Sequence, residues 1–302
     1  MNYWERRAIE NREMTDLIES NSMVRLNLLL KKALKEISEE IDEFNLAYAD
    51  EFLTVKEKQE LMRQLKKAAS YEQRDKILQQ LYTEKAKLYK LNRLEGLQIS
   101  LQIRLSELTS SSEKEIATTL SEVGTSAYKF ASETFTKRYA IDLSSISKAT
   151  IKTLADQTWV GKTNWSARIW KDRNKLGKVL DKTLTSGIAK GLPLDVMARD
   201  IRDRFQTNTY NAMRLVRTET THVHEQAIFR IYKETNTKYF KFAATIDSST
   251  SKICREHNNK TYRVEDAKVG VNVPPMHPNC RSTTYPVANT KYLYEKYGLT
   301  KD

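Results

Sequence analysis

The first glycine in this chain is Gly96 and the first proline is Pro193. These are the two residues that most disfavour a helix interior, by about 1 and about 3 kcal/mol relative to alanine. With eight glycines and five prolines in 302 residues, the chain has few breakers with which to build strands and turns. It is expected to be mainly α, with long N-terminal helices. The apolar residues agree. Met23, Leu26, Leu30, Leu34, Ile37, Ile41, Phe44 and Tyr48 recur in steps of three and four, which makes one stripe on a helix. A second pattern runs through Ile77, Leu81, Leu88, Leu91, Leu94, Leu101, Leu105 and Leu108. Thr54 precedes Glu57 by three, as in a capping box between helices. Two or three long antiparallel helices follow from this. Such a stripe either closes on its own bundle or docks on another protein. The sequence leaves both readings open.

The totals narrow the class. The length suits two domains, or one domain with a long extension. Apolar content of 39% against 30% charged fits elongated helical structure with much solvated surface. No apolar run reaches the eighteen residues a membrane span needs. The N-terminal Met1-Asn-Tyr-Trp-Glu-Arg-Arg lacks the apolar core of a signal peptide. A reducing cytoplasm is the expected compartment of synthesis.

Charge divides the chain. Residues 1 to 115 are nearly neutral, whereas residues 160 to 217 hold much of the formal net charge of +12. Lys162, Arg168, Lys171, Arg173, Lys175, Lys178 and Lys182 are interleaved with Trp165 and Trp170. Basic residues with aromatics among them make a candidate surface for double-stranded DNA of any sequence. The plainer reading is a solvated amphipathic helix whose tryptophans face the core. The hydroxyl-rich stretch from Leu108 to Glu113 reads as a boundary that ends one helix and caps the next. Further helix is expected from Ile116 to about Ala155, and another from about Tyr210 to Thr235. Within the latter, Arg217 and Glu219 are two apart and so do not face each other on a helix. Each must reach its own partner. His222 and His224, also two apart, are poorly spaced to share a metal.

After Asn236 the pattern changes. Tyr239 to Ile246 alternates as a strand does, and Thr261 to Val264 is a second candidate. Both cysteines of the chain fall here, as Cys254-Arg-Glu-His257 and His277-Pro-Asn-Cys280. Two residues between ligands let one tight turn aim both side chains at one ion. Two such knuckles make a tetrahedral Cys2His2 shell, which suits structural zinc. Buried unliganded thiols and a disulfide remain alternatives. The reading is thus a small C-terminal α+β module of zinc-knuckle type, stapled by metal because its core is small. Three consecutive parts are expected: residues 1–112 for assembly, 113–209 as a basic helical region, and 210–302 as the metal module.

Three motifs carry a resemblance. They are Arg217-Thr218-Glu219, the run from Asp247 to Cys254, and Pro274-Pro-Met-His277-Pro-Asn-Cys280-Arg281. Together they resemble the phage Mu F-like head-morphogenesis family, the minor head proteins of tailed bacteriophages, over about residues 155 to 287. Trp159-Val-Gly-Lys and the stretch from Trp165 to Trp170 are similar to the same family. The resemblance implies a minor capsid protein in the virion, made in the bacterial host cytoplasm, next to the portal protein and in reach of scaffold or major capsid protein. One position departs from it: His257 stands where the family has the second cysteine of its first pair. No catalytic residue is expected. The enzymatic alternatives are a metal-dependent nuclease, which needs an open metal position, and an ADP-ribosyltransferase. The latter needs a Glu-x-Glu after Ser249-Thr250-Ser251, and none follows.

Overall fold

The computed structural model describes residues 1–46, 60, 63, 64, 76, 93–143, 145–159, 161–190, 192 and 194–287. The expected capping box at Thr54 and the part of the second apolar pattern from Ile77 to Leu91 lie outside these residues. In chain order the elements are helices α1 (Tyr3–Leu46), α2 (Arg93–Tyr139), α3 (Lys148–Ala155), α4 (Trp165–Ala189) and α5 (Leu194–Glu234). Strand β1 (Tyr239–Ala243), helix α6 (Lys252–His257), strand β2 (Thr261–Arg263), a 3-10 turn at Val264–Asp266 and strand β3 (Thr283–Val287) complete the described chain. The protein is mostly helical with a small C-terminal sheet, as its scarcity of breakers implies.

Local chemistry explains the ends. Asn2 and Glu5 exchange side-chain and backbone hydrogen bonds at 2.8 and 3.2 Å, a reciprocal cap at the start of α1. Past the end of α2, Ala140 turns left-handed with φ of 49°. That break separates α2 from α3, so the helix expected over Ile116 to Ala155 is two helices. Ser147 caps α3 by accepting from the Thr150 amide. At the end of α5, Asn236 is left-handed and the Thr237 amide donates to the Tyr232 carbonyl at 2.8 Å, the closure that ends many helices.

The hydroxyl-rich boundary is a correction: Leu108 to Glu113 lies inside the unbroken α2. The Thr109 hydroxyl donates to the Leu105 carbonyl at 2.6 Å, and Ser106 donates to the Gln102 carbonyl at 2.8 Å. Turned back on the preceding turn, these hydroxyls satisfy themselves without stopping the helix. Likewise α5 is a single helix of 41 residues that includes the stretch before Tyr210.

The chain forms two compact units. One comprises Met1–Met23, Ile116–Trp165 and Met213–Asp302; the other comprises Val24–Glu115 and Ser166–Ala212. These units interleave along the sequence, because α1, α2 and α5 each contribute residues to both.

In the second unit the core is Ile37 and Ile41 of α1, Leu97, Leu101 and Leu105 of α2, Leu176, Leu180 and Leu184 of α4, and Ile201 and Phe205 of α5. Leu26 and Leu30 are buried too. From Leu26 to Ile41 the α1 stripe therefore closes within the chain; the Phe44 side chain and Tyr48 lie outside the described residues. In the first unit, Ala127, Tyr128, Phe135 and Tyr139 of α2 pack with Ala227 and Ile231 of α5. The sheet, in order β2-β1-β3 and antiparallel throughout, adds its own cluster: Phe240 and Val273 against Ile228, Phe229 and Tyr232 of α5. Strand β3 was not expected. Pro286 within it removes a ladder donor, which only an edge position tolerates, and β3 is an edge.

Candidate metal centre and the buried seam beneath it

The centre begins with a loop that holds itself. The Asp247 carboxylate accepts from the Ser249 amide at 2.8 Å, and the Thr250 hydroxyl receives the Asp247 amide at 2.7 Å. Arg281 closes on Asp247 with an ion pair, and Arg255 donates to the Asp247 carbonyl. This pins the loop that enters α6 to the segment that follows Cys280. Ser251 then caps α6, accepting from the Cys254 amide at 3.3 Å. On the other side, the Cys280 amide donates to the His277 carbonyl at 3.2 Å, the tight turn expected of a two-residue spacing.

These loops bring Cys254, His277 and Cys280 together, with ligand atoms all within 4.8 Å of one another. The two sulfurs are 3.8 Å apart, and both cysteines are free thiols. Two thiolates held tetrahedrally at about 2.3 Å from zinc would be separated by about the same distance. His277 Nδ1 donates to the Pro278 carbonyl at 2.8 Å. The proton is thereby fixed on Nδ1, and the Nε2 lone pair faces the Cys254 sulfur at 3.2 Å. An outer hydrogen bond that sets the tautomer is what a metal-binding imidazole needs. The sulfurs differ. Cys280 is held well below the usual thiol range, first by its bond with Cys254 and also by His277 and the backbone at Met276 and Ser282. Cys254 is pushed up, first by its bond to Cys280 and then by burial. The pair shares one proton, which a metal would displace. The donor set fits a thiophilic divalent ion.

His257 is not in this group. It lies one turn beyond Cys254 on α6, but its Nδ1 is bonded to the Tyr262 hydroxyl at 2.7 Å, and its ring packs against Tyr262 and Phe242. The structure thus gathers three of the four residues expected from the spacing.

Beneath the centre runs a buried polar seam. The Thr218 hydroxyl accepts from the Asn279 amide at 3.2 Å, and the Thr221 hydroxyl donates to the Cys280 carbonyl at 2.7 Å. The Arg-Thr-Glu run is thus a platform for the second knuckle. Its charged ends point to different partners, as a two-residue spacing requires. Arg217 reaches Glu19 at 2.8 Å, and Glu219 accepts from Trp159 Nε1 at 3.0 Å. His222 stacks on Trp159. Arg12, Thr15 and Glu19 of α1 join the seam: Arg12 donates to Thr221, Thr15 bonds His224, and Glu19 accepts from Thr220. Glu225 accepts from Thr283 and Thr284 of β3 at 2.7 and 2.8 Å. Sequence reasoning missed the α1 half of this seam and Ser251. The signal for the former was present: Ala8, Arg12, Thr15, Glu19 and Ser22 extend the apolar stripe backwards from Leu26 with the same three-and-four steps.

The basic segment takes its place on α4. Trp165 and Trp170 are buried, the plainer of the two readings for them. Arg173 is buried as well, donating to the Gln102 carbonyl and the Ser106 hydroxyl, and its burial lowers its pKa to about 10. It belongs to the helix packing and not to any charged surface. Lys171, Lys175, Lys178 and Lys182 are exposed, and their spacing of four, three and four puts them on one face of α4. Among the described residues, no helix is long and apolar enough to cross a membrane.

Comparison with known proteins adds one finding of weight. Residues 178–285 match the family model described as phage Mu protein F like protein. The match runs from within α4 into β3 and takes in the whole metal centre; Trp159 and the stretch from Trp165 to Trp170 lie outside it. No curated protein matches the chain. A solved structure described as a computationally designed three helix bundle aligns over 76% of this chain and 92% of its own, at 14% identity. Its TM-score of 0.16 is too low to bear on the fold.

Proposed function

From the match of residues 178–285 to the phage Mu protein F like family, we propose that the protein is a minor head protein of a tailed bacteriophage. It acts in head morphogenesis and resides in the virion after assembly in the host cytoplasm. The observation that carries this is the family match, supported by the way its motifs converge. Arg217-Thr218-Glu219, Asp247 and the closing Pro-Asn-Cys-Arg meet in one built centre, and do not lie scattered over the surface. Cys254, His277 and Cys280 hold a structural zinc there. The ion's role is to staple β1, α6, β2 and β3, whose own core is small. The portal protein is the first partner, with scaffold or major capsid protein as further ones. The exposed lysines of α4 give non-specific contact with the packaged double-stranded genome.

No enzymatic role is assigned. Hydrolysis at a metal requires a base beside the bound water, and the nearby Asp247 carboxylate is bound by Arg281. The test is direct. Particles of the phage that encodes this chain, purified after induction, are analysed by mass spectrometry, and the chain is then tested for binding to purified portal rings. The chain is expected in the particle at fewer copies than the capsid protein. Its absence from mature and immature particles alike overturns the reading.

A further inference from the structure

Among the described residues, the three-residue donor set leaves one corner of a tetrahedron without a protein ligand, and the surroundings of that corner point to what takes it. Most structural zinc sites close on four protein ligands, whereas three protein ligands leave a position for water or another small ligand even where the ion's role is to hold the fold. The spacing of Cys254 and His257 nominates His257 for the fourth place, but neither of its ring nitrogens is among the ligand atoms that gather within 4.8 Å, and its ring lies against Phe242 and Tyr262. The side chain nearest the metal-facing atom of His277 is Ser251, whose hydroxyl oxygen is 2.8 Å from Nε2. The same oxygen caps α6 through the Cys254 amide and bonds the Cys254 thiol. A neutral hydroxyl is not among the ordinary ligands of zinc, which are thiolate, imidazole and carboxylate. It is well suited to hold a metal-bound water by a hydrogen bond.

We infer that the fourth coordination position of this centre is open, filled by an exchangeable water that Ser251 orients, and that it accepts a small anion in the water's place. His257 is then an aromatic packing residue with a hydrogen bond to Tyr262. This rests on the metal reading of Cys254, His277 and Cys280 given above.

The experiment uses the full chain, purified without a tag, with Co(II) as the probe ion and sodium azide as the exogenous ligand. Cobalt reports through its visible absorption, which changes with the number and type of its ligands. The expected result is one cobalt per chain, an unchanged spectrum in His257→Gln and in His257→Phe, and a spectral shift on titration with azide. Glutamine preserves the bond to Tyr262 and phenylalanine preserves the ring packing, so at least one variant keeps the fold. Ser251→Thr, which retains the hydroxyl, is expected to bind azide as the parent does, and Ser251→Ala to bind it several-fold differently with cobalt stoichiometry intact. A cobalt spectrum that is indifferent to azide and altered in both His257 variants overturns the inference while leaving the metal reading in place. Failure of the parent chain to bind cobalt or zinc at all overturns the metal reading, and this inference with it.

Discussion

Arg217 of α5 donates from Nε to Oε1 of Glu19 on α1, at 2.8 Å, across nearly two hundred residues of sequence. Glu19 is 4% exposed and serves three partners, because Thr220 donates to its other oxygen and Arg12 lies 3.5 Å from that oxygen. Removing this carboxylate leaves the buried Arg12 with Asp16 as its remaining carboxylate, and the half-exposed Arg217 without Glu19. Glu19→Ala is therefore expected to destabilise the first unit by about 1–3 kcal/mol, the usual cost of taking the partner from a buried polar group. Glu19→Gln, which keeps an acceptor for Thr220, is expected to cost less. Urea unfolding followed at the Trp4 and Trp159 fluorescence reports the difference. A loss under 1 kcal/mol for Glu19→Ala shows that the seam does not hold the unit together.

Gly124 marks a close approach inside α2. A Cβ there would meet Ile151 at 2.8 Å and Val223 at 2.9 Å, both side chains fully buried. Alanine favours a helix interior over glycine by about 1 kcal/mol, while overpacking a core costs about 1–3 kcal/mol. Gly124→Ala is expected to lower the melting temperature by several degrees. A rise would mean that α3 yields freely to the added methyl.

The seam also gives stability a slope with pH. Burial pushes the Glu225 carboxyl up to about 8, against which the Thr283 and Thr284 hydroxyls act in the opposite sense. An acid whose folded pKa is raised binds its proton more tightly when folded. Its contribution is complete at low pH and is lost as pH rises through about 8. Burial, and after it the charge of Arg12, holds His224 well below 6.5. Below pH 6.5 the unfolded chain gains a proton there that the folded chain refuses, which offsets the Glu225 slope. Between about pH 6.5 and 8 the glutamate makes stability fall as pH rises, by at most about 1.4 kcal/mol per pH unit, while the lowered Cys280 thiol acts in the opposite sense. Glu225→Gln removes the first contribution only, so its stability is expected to fall less, or rise more, with pH than the parent's. Denaturation midpoints of both proteins across this range check it, and equal slopes refute the assignment.

Metal removal has a local signature. Treating the protein with a chelator, or replacing Cys280 with Ser, is expected to speed amide hydrogen exchange in β1, α6, β2 and β3 while leaving α4 protected, because binding energy at a small module is folding energy. Equal loss of protection in α4 would show that the centre supports more than its own module.

On α4 the distinction between lysine and arginine is testable. Four exposed lysines contacting phosphates give a slope of log affinity for duplex DNA against log salt of about −3.6. Replacing Lys171, Lys175, Lys178 and Lys182 together with serine is expected to abolish that slope without loss of stability. Arg173→Ser is expected to destabilise the second unit, since its buried guanidinium serves Gln102 and Ser106. Filter binding over a salt series separates the two. Unchanged affinity in the quadruple variant removes DNA from the list of partners.

Much of this was legible beforehand. The period of the α1 stripe identified its buried face, and the paired spacing around Cys254 and Cys280 located the centre. What the sequence concealed has physical causes. The hydroxyl at Thr109 reads as part of a boundary because its competing hydrogen bonds favour caps, yet inside α2 it bonds the preceding turn. His257 reads as a ligand because two intervening residues suit a tight-turn knuckle with Cys254, yet that segment is the helix α6 and His257 lies outside the ligand group. Strand β3 was hidden by its proline, and the partners of Arg217 and Glu219 by distance along the chain.

The interleaving of the two units bears on how such a protein can change over generations. The C-terminal stretch from Met213 carries the metal centre, but Arg12, Thr15 and Glu19, which complete the seam beneath it, are encoded near the opposite end. A genetic exchange with a single breakpoint in the middle of the reading frame would transfer the knuckles and leave their counterparts behind. Descendants of that exchange would inherit a carboxylate and two guanidinium groups chosen for different company. Lineages that retain a working protein are those in which both ends of the frame travel together, or in which Glu19 and Arg217 are replaced in concert.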